Sequence, residues 1–469
     1  MRSGGGKPLD RSIVEGPLPH AVWTLAWPTM VQNLIGGLQG VVDHALVGHF
    51  VGYAGNAAIG VAIQIFIVVI AFVMSVFSGM GVLVARFAGA NDPDKVNRTV
   101  YQAFLAAVAL WGGVLAPLGW VLAPSLLGVV HAAPAVRAEA LPFLRIMFVG
   151  SLGMLLFFMV GGALRAAGDA RTPLRLGILL TVLNIACNVA FITGLGPLPR
   201  LGTAGAAVGT TVAGLVMSGT AVYLLLSGRL PVVWHRGMDW RPDWGIIRAL
   251  FRFGLPAGVQ GIAMNVAGVL LLRFIGSLGQ SAQAQAAYAV GYTELFSFIT
   301  WTSVGLMGAA ATVAGQNLGA RRPERAVHGV HVAAGLGLGL AAVIGVLFIT
   351  IPRSLLALFG MTDPVVVGLG VQLLGFLSVS GLFVTVALTY TGALQGTGDT
   401  RSPLYISIAS QIVVPLGLCT LFQATRGLHP ADIWTAILLG HVTRCALSVL
   451  RFRQGKWRSI RVEVEPVRP

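Results

Sequence analysis

LRAAGDARTPL, residues Leu164–Leu174, returns 230 positions later as LQGTGDTRSPL, beginning at Leu394. Six of the eleven positions are identical, with Gly, Asp, Arg and Pro in the same order. Each copy stands between the end of one long apolar run and the start of the next. Such a place calls for a helix-to-helix turn. Gly168 and Gly398 suit the left-handed conformation that ends a helix. Thr172 and Ser402 are placed to cap the next helix, whose first turn accepts Pro173 and Pro403. A turn duplicated at one offset implies a duplicated half-molecule.

The halves align beyond that turn. Pro28 and Gln32 return as Pro256 and Gln260, Ala88-Gly89-Ala90 with Pro93 as Leu318-Gly319-Ala320 with Pro323, and Pro134 as Pro364. The chain is 56% hydrophobic and 10% charged, which excludes an ordinary soluble protein. Apolar runs of membrane-crossing length recur, whereas the short alternating strands of an outer-membrane barrel do not. Twelve such runs, from 22–47 to 433–449, predict an all-α integral membrane protein. Six per half is an even number, so both copies enter from the same side. They are expected as two parallel six-helix repeats around a central cavity. The expected division is a tail at 1–21, an N-lobe at 22–227, a linker at 228–246, a C-lobe at 247–450 and a basic tail at 451–469. Most of the 62 glycines suit close helix packing, as in Gly36-xxx-Gly40.

The net charge of +15 could suggest a nucleic-acid partner, but its placement argues otherwise. The tails and even-numbered connections, including Arg229, Arg236 and Arg241 of the linker, hold 24 of the 31 Lys and Arg residues. The odd-numbered connections hold five, namely Arg137, Arg145, Arg200, Arg353 and Arg426, while Arg273 and Arg444 fall within runs. This asymmetry places both termini in the cytoplasm. The first 21 residues lack an apolar core, so no cleavable signal peptide is expected. Cys187, Cys419 and Cys445 sit in apolar runs at unrelated spacings, neither a disulfide framework nor a metal cluster. There is no phosphate-cradling loop ahead of a Lys-Ser/Thr pair, so nothing points to ATP hydrolysis or an enzyme.

Two acids lie well inside runs, Asp43 in the first and Glu294 in the eighth. A carboxylate in hydrocarbon costs about 2.5–3.5 kcal/mol on the lenient insertion scale, so each should face a wet cavity. Gln32, Gly36, Gln39 and Asp43 are spaced 4, 3 and 4 and share one helical face. Asn184 and Asn188 share a face of the fifth run, and Thr210 follows small residues in the sixth. Carboxylate, amide and hydroxyl oxygens suit a proton or a hard cation such as sodium; hydrogen bonding between helices would use Asn184 and Thr210 equally well. Glu294 is placed with Gly291, Phe298, Trp301 and Gly305, a carboxylate among aromatic rings that suits a lipophilic cation. Packing alone would explain the rings but does not need the acid. His44, His49, Asp169, Arg171, Asp399 and Arg401 read as scaffold.

With these features together, the chain resembles the multidrug and toxic compound extrusion (MATE) family over nearly its whole length. LAWPTMVQNLIGGLQGVVDHALVGH at Leu25–His49, VARFAGANDPDKV at Val84–Val96, VAGQNLGARRPERA at Val313–Ala326 and the two turns carry the resemblance. It implies twelve helices in two lobes and export of cationic organic compounds against an inward flow of protons or sodium. Asp43 matches the family's first-helix acid, and Asn184 and Thr210 match neighbouring polar positions of its cation site. Asn188 departs from the acid many members carry in the fifth helix. The seventh and tenth runs lack the acids of one sodium-coupled branch, and Glu294 resembles an eighth-helix acid of some members. The pattern is closer to the DNA-damage-inducible branch than to the norfloxacin exporters.

The leading reading is therefore an antiporter of the inner membrane, a monomer, with small organic cations as cargo and no cofactor. The cation-coupling set is Asp43, Asn184, Asn188 and Thr210, and the substrate set Gln32, Gln39, Glu294, Phe298 and Trp301. One carboxylate can take up and release a proton without further ligands, so protons are expected; a transient sodium at Asp43 is the alternative. A lipid-linked saccharide flippase of the wider superfamily should instead need arginines in the cavity. A non-transporting receptor or scaffold needs neither the repeat nor the buried acids.

Overall fold

The computed structural model describes residues 7–130, 133–235 and 237–462. Arg236 of the linker and the ends of the two tails, 1–6 and 463–469, lie outside the described residues. Among the described residues twelve long helices follow one another. They are α1 (Leu18–Phe50), α2 (Tyr53–Gly89), α3 (Pro93–Val129), α4 (Pro134–Gly150 with Leu152–Ala166), α5 (Arg171–Thr193) and α6 (Thr203–Leu226), then α7 (Trp244–Gly276), α8 (Ser281–Gly319), α9 (Pro323–Thr350), α10 (Pro364–Thr397), α11 (Arg401–Thr425) and α12 (Pro430–Arg453). α4 bends by 50° at its break. Eleven of the twelve, α4 counted once, are long and apolar enough to cross a membrane. α1 is 33 residues long, about 50 Å at 1.5 Å per residue. Gln32, Asn33, Gln39, Asp43 and His44 lower its hydropathy.

Most helices run past the apolar stretches that announce them. Proline in the first turn of α3, α4, α9, α10 and α12 carries the helix start into polar sequence. Arg137 and Arg145, read as residues of a connection, are consequently helical. Arg137 donates to the Pro124 carbonyl at 3.1 Å, and the Arg145 guanidinium lies 5.1 Å from the Trp120 ring.

The duplicated turns take the expected backbone, with φ of 107° at Gly168 and 96° at Gly398. Their caps are a correction. Thr172 and Ser402 do not cap; Asp169 and Asp399 do. Asp169 accepts from the Thr172 N–H at 2.9 Å and from its hydroxyl at 2.5 Å. Asp399 accepts from the Ser402 N–H at 3.3 Å and its hydroxyl at 2.7 Å. A carboxylate takes both bonds and adds negative charge at the positive helix end, which a hydroxyl cannot. Asp399 also holds Arg451 of α12 at 2.8 Å, its own side chain only 6% exposed. Asp169→Ala should cost about 1 kcal/mol, a cap alone. Asp399→Ala should cost about 2–3 kcal/mol, because it also strands a partly buried arginine. Thermal melts of the two purified variants check the order, and equal losses would contradict it.

By packing the chain forms two compact units. One holds Val31–Leu255, the other Arg11–Met30 with Pro256–Val462. Both divisions fall inside a helix, beside Pro28 of α1 and Pro256 of α7, where a backbone hydrogen bond is missing. In the first unit the start of α7 meets α2 almost backbone to backbone. A Cβ on Gly254 would stand 1.7 Å from the Ser75 carbonyl oxygen, and one on Gly79 2.0 Å from that of Leu250. In the second unit a Cβ on Gly305 of α8 would stand 2.5 Å from the Met30 side chain of α1. Residues 12–21, read as tail, form a short helix, Ser12–Glu15, and the start of α1. Asn317, Arg322 and Arg325 donate to the carbonyls of Ile13, Val14 and Gly16. Arg11 beside Glu15 holds that carboxyl below the usual carboxylate range.

Candidate functional site

The polar stripe of α1 and the amides of α5 meet inside the first unit. Asn188 donates from Nδ2 to the Asp43 carboxylate at 2.8 Å and to the Asn184 carbonyl at 3.1 Å. Asn184 donates to the Thr210 hydroxyl of α6 at 3.0 Å. Gln39 donates to the Asn184 carbonyl at 2.9 Å and accepts from Thr181 at 2.8 Å. All four residues of the expected cation-coupling set thus join one continuous hydrogen-bonded group. Asn184 and Asn188 are wholly buried, and Asp43 is half-buried.

The group differs from a finished oxygen cage in an informative way. Asn188 turns its nitrogen, not its oxygen, toward Asp43, because an ionised carboxylate can only accept. The Asn188 oxygen is left enclosed without a partner. Gly209 of α6 makes room for it; a Cβ there would stand 2.2 Å away. Gln39, read as substrate-binding, has both ends of its amide committed to the group. Thr181 belongs to the group although the sequence reading missed it. Its position three residues before Asn184, on the same face of α5, was the available signal.

A cavity of about 220 Å³ opens beside this group, lined by Gln32, Gly36, Gln39, Asp43, Phe157 and Thr181 among others. The expected α1 stripe therefore lines a cavity along its whole length. Gln32 accepts from Arg165 of α4 at 3.1 Å, and Gly177 leaves its amide space, a Cβ there standing 3.1 Å off. The second unit repeats the arrangement at equivalent positions. Gln260 accepts from Gln395 at 3.1 Å and donates to Ser407 at 2.7 Å. The repeat therefore holds at the level of single contacts around Gln32 and Gln260. It fails around Asp43. The positions equivalent to Gln39, Asp43, Asn184 and Asn188 are Ala267, Leu271, Val414 and Leu418. Only the first unit carries the acidic group.

Glu294 of α8 lies in the second unit, within a stretch of wider π-type turns, Ala289–Leu295. Its carboxylate has no ion pair or side-chain hydrogen bond among the described residues. Phe298 and Trp301 meet edge to face at 5.8 Å, with Phe298 41% exposed. Gly291 and Gly305, read on the same face, instead pack against Leu373 and Met30. The three cysteines are free.

The family profile MatE matches the chain twice, over residues 28–190 and 256–421. The chain belongs to the MATE family. Both matches begin at the paired prolines Pro28 and Pro256, and each runs into the fifth helix of its half, α5 and α11. Similar relatives are probable multidrug resistance proteins NorM of Deinococcus radiodurans and of Thermotoga maritima. They are 29% and 27% identical; each alignment covers 92% of this chain, and 94% and 92% of the respective relative. The multidrug resistance protein PmpM of Pseudomonas aeruginosa is 26% identical over 97% of this chain and 95% of its own. Among solved structures, the outward-facing form of a multidrug resistance MATE transporter superposes with a TM-score of 0.88 at 21% identity. That superposition covers 98% of this chain and all of the other. The MATE fold, a multi-pass helical membrane protein with two six-helix halves, is thus the fold of this chain.

Proposed function

We propose that this MATE protein exports organic cations in exchange for protons, with Asp43 as the group both compete for. The observation that carries this reading is one carboxylate, set beside a cavity and wired to a chain of buried amides, with no salt bridge to Lys or Arg among the described residues. Several relatives are named multidrug resistance proteins, which fits that cargo. When Asp43 is ionised it accepts from the Asn188 N–H, as observed. Once protonated it becomes a donor and needs an acceptor. The unpartnered Asn188 oxygen is that acceptor, one amide rotation away. The rotation also gives up the Asn188–Asn184 bond, so the proton's arrival is felt through Gln39, Thr181 and Thr210. A two-state hydrogen-bond arrangement of this kind lets one titration bias a conformational equilibrium. The lobes at 22–227 and 247–450 would alternate access in the inner membrane as a monomer, both termini cytoplasmic.

Proteoliposomes with a fluorescent cation test this directly. Efflux should follow an imposed proton gradient and ignore a sodium gradient at equal pH. Asn188→Asp should move the protein toward sodium by supplying a second carboxylate. Strong sodium-driven efflux by the unmodified protein, with none under a proton gradient, overturns proton coupling.

Glu294, with Phe298 and Trp301 four and seven residues further along α8, is proposed to select cargo rather than energise transport. Glu294→Gln should weaken binding of cationic compounds about tenfold and leave neutral ones unchanged, the loss of one charge-assisted contact. Equal loss for both classes would make Glu294 structural.

A further inference from the structure

The second unit contains a buried polar cluster that the transport reading does not use. His441, Arg444 and Ser448 are spaced 3 and 4 along α12 and share one face. That face points inward, with the three residues 3%, 6% and 0% exposed. Both ring nitrogens of His441, Nε of Arg444 and Oγ of Ser448 are enclosed without a hydrogen-bond partner. Nε2 of Gln411, also enclosed and unpartnered, reaches toward the same place from α11. It lies 3.5 Å from where a Cβ on Gly440, the residue before His441, would stand.

Two irregular turns aim at this cluster. Gln411 sits in a π-type turn of α11, Ala409–Val413, and Tyr292 in that of α8. Such turns cost regular helix hydrogen bonding and often mark functional places. Rings follow one another from Trp434 through Tyr288, Tyr292 and Phe296 to His441, the first two pairs stacked and the last two tilted, with successive centroids 6.3, 4.9, 5.3 and 5.9 Å apart. They wall the cluster on one side.

The composition of the cluster decides its ligand. A guanidinium, an imidazole, an amide nitrogen and a hydroxyl can all donate, and no carboxylate pairs with Arg444 among the described residues. Asp432, also on α12, is three helical turns away and is occupied by Arg426. A buried guanidinium without a counter-charge is unfavourable, and enclosed donors without acceptors add to the cost. A small anion relieves both. We propose that Arg444, His441, Gln411 and Ser448 form an internal site for a small inorganic anion of the chloride type. The bound anion ties α11 to α12 and keeps the interior of the second unit electrically balanced. This site does not rest on the transport reading.

Binding of radioactive chloride to the full-length protein in nanodiscs tests it, with gluconate replacing chloride at constant ionic strength. Saturable binding of one chloride per chain is expected. Arg444→Gln should weaken it about tenfold or more, and Gln411→Leu about threefold. Arg273→Gln, outside the cluster, should bind like the unmodified protein. No saturable binding up to about 300 mM chloride overturns the proposal, since a weaker site could not hold its ion. Affinity unchanged in both Arg444→Gln and Gln411→Leu overturns it equally. Should Arg444→Gln fail to fold, Gln411→Leu and Ser448→Ala decide, and wild-type affinity in both refutes the site.

Discussion

Asp43→Asn should abolish gradient-driven efflux, lowering its rate at least about a hundredfold, while the protein still folds and inserts. Asparagine keeps the size of the side chain and can still accept from Asn188 Nδ2, so the 2.8 Å contact survives. It cannot take up a proton or present a negative charge. On the proposed reading both exchange partners lose the group they compete for, and a ligand that no longer discriminates between two states shifts nothing. The residual activity should also lose its dependence on the imposed pH difference. Efflux assays in proteoliposomes, paired with a thermal melt, separate this outcome from misfolding. Coupled efflux at the wild-type rate from a well-folded Asp43→Asn protein would remove Asp43 from the mechanism. Asn188→Ala makes a useful contrast. It deletes the amide that is proposed to rotate but leaves the carboxylate, so binding should persist while coupling becomes leaky.

Gly254→Val should be the most damaging single change to folding. At this crossing the backbones of α2 and α7 touch, and even a Cβ would stand 1.7 Å from the Ser75 carbonyl oxygen. No rotamer change relieves a clash with backbone, so the helices must separate and lose their contacts on either side. Overpacking a close-packed site typically costs about 1–3 kcal/mol, occasionally more, and this contact belongs at or above the upper end. Gly79→Val, 2.0 Å from the Leu250 carbonyl oxygen at the same crossing, should behave alike. Gly261→Ala, on the same helix with nothing within 4 Å, is the control and should melt like the parent. Detergent melts of the three variants check this. A Gly254→Val protein with an unchanged melting temperature would show that the crossing is loose.

The repeat, the helix count and the family were legible in the sequence because each is carried by local chemistry. Gly168 and Gly398 are read from the backbone conformation only glycine adopts easily. Apolar runs are read from what a bilayer accepts, and the charge asymmetry from how chains insert. The four residues of the hydrogen-bonded group around Asp43 were legible for a related reason. Polar groups in an apolar run are costly, so Asp43, Asn184, Asn188 and Thr210 stood out individually, and helical spacing put the first three on usable faces.

What required tertiary structure was the pairing between elements. That Asp169 rather than Thr172 makes the cap depends on where the turn aims a carboxylate. That Asn188 shows Asp43 its nitrogen and leaves its oxygen stranded depends on α1, α5 and α6 meeting at Gly209. The division of packing beside Pro28 and Pro256, inside helices, follows from what each stretch approaches, Gly254 the Ser75 carbonyl and Met30 the space left by Gly305. Arg444 stood out as a charge within a run, but only the packing of α11 against α12 brought Gln411 beside that helix. Sequence spacing fixes which residues share a face. It does not say what stands opposite, because that depends on how whole helices pack.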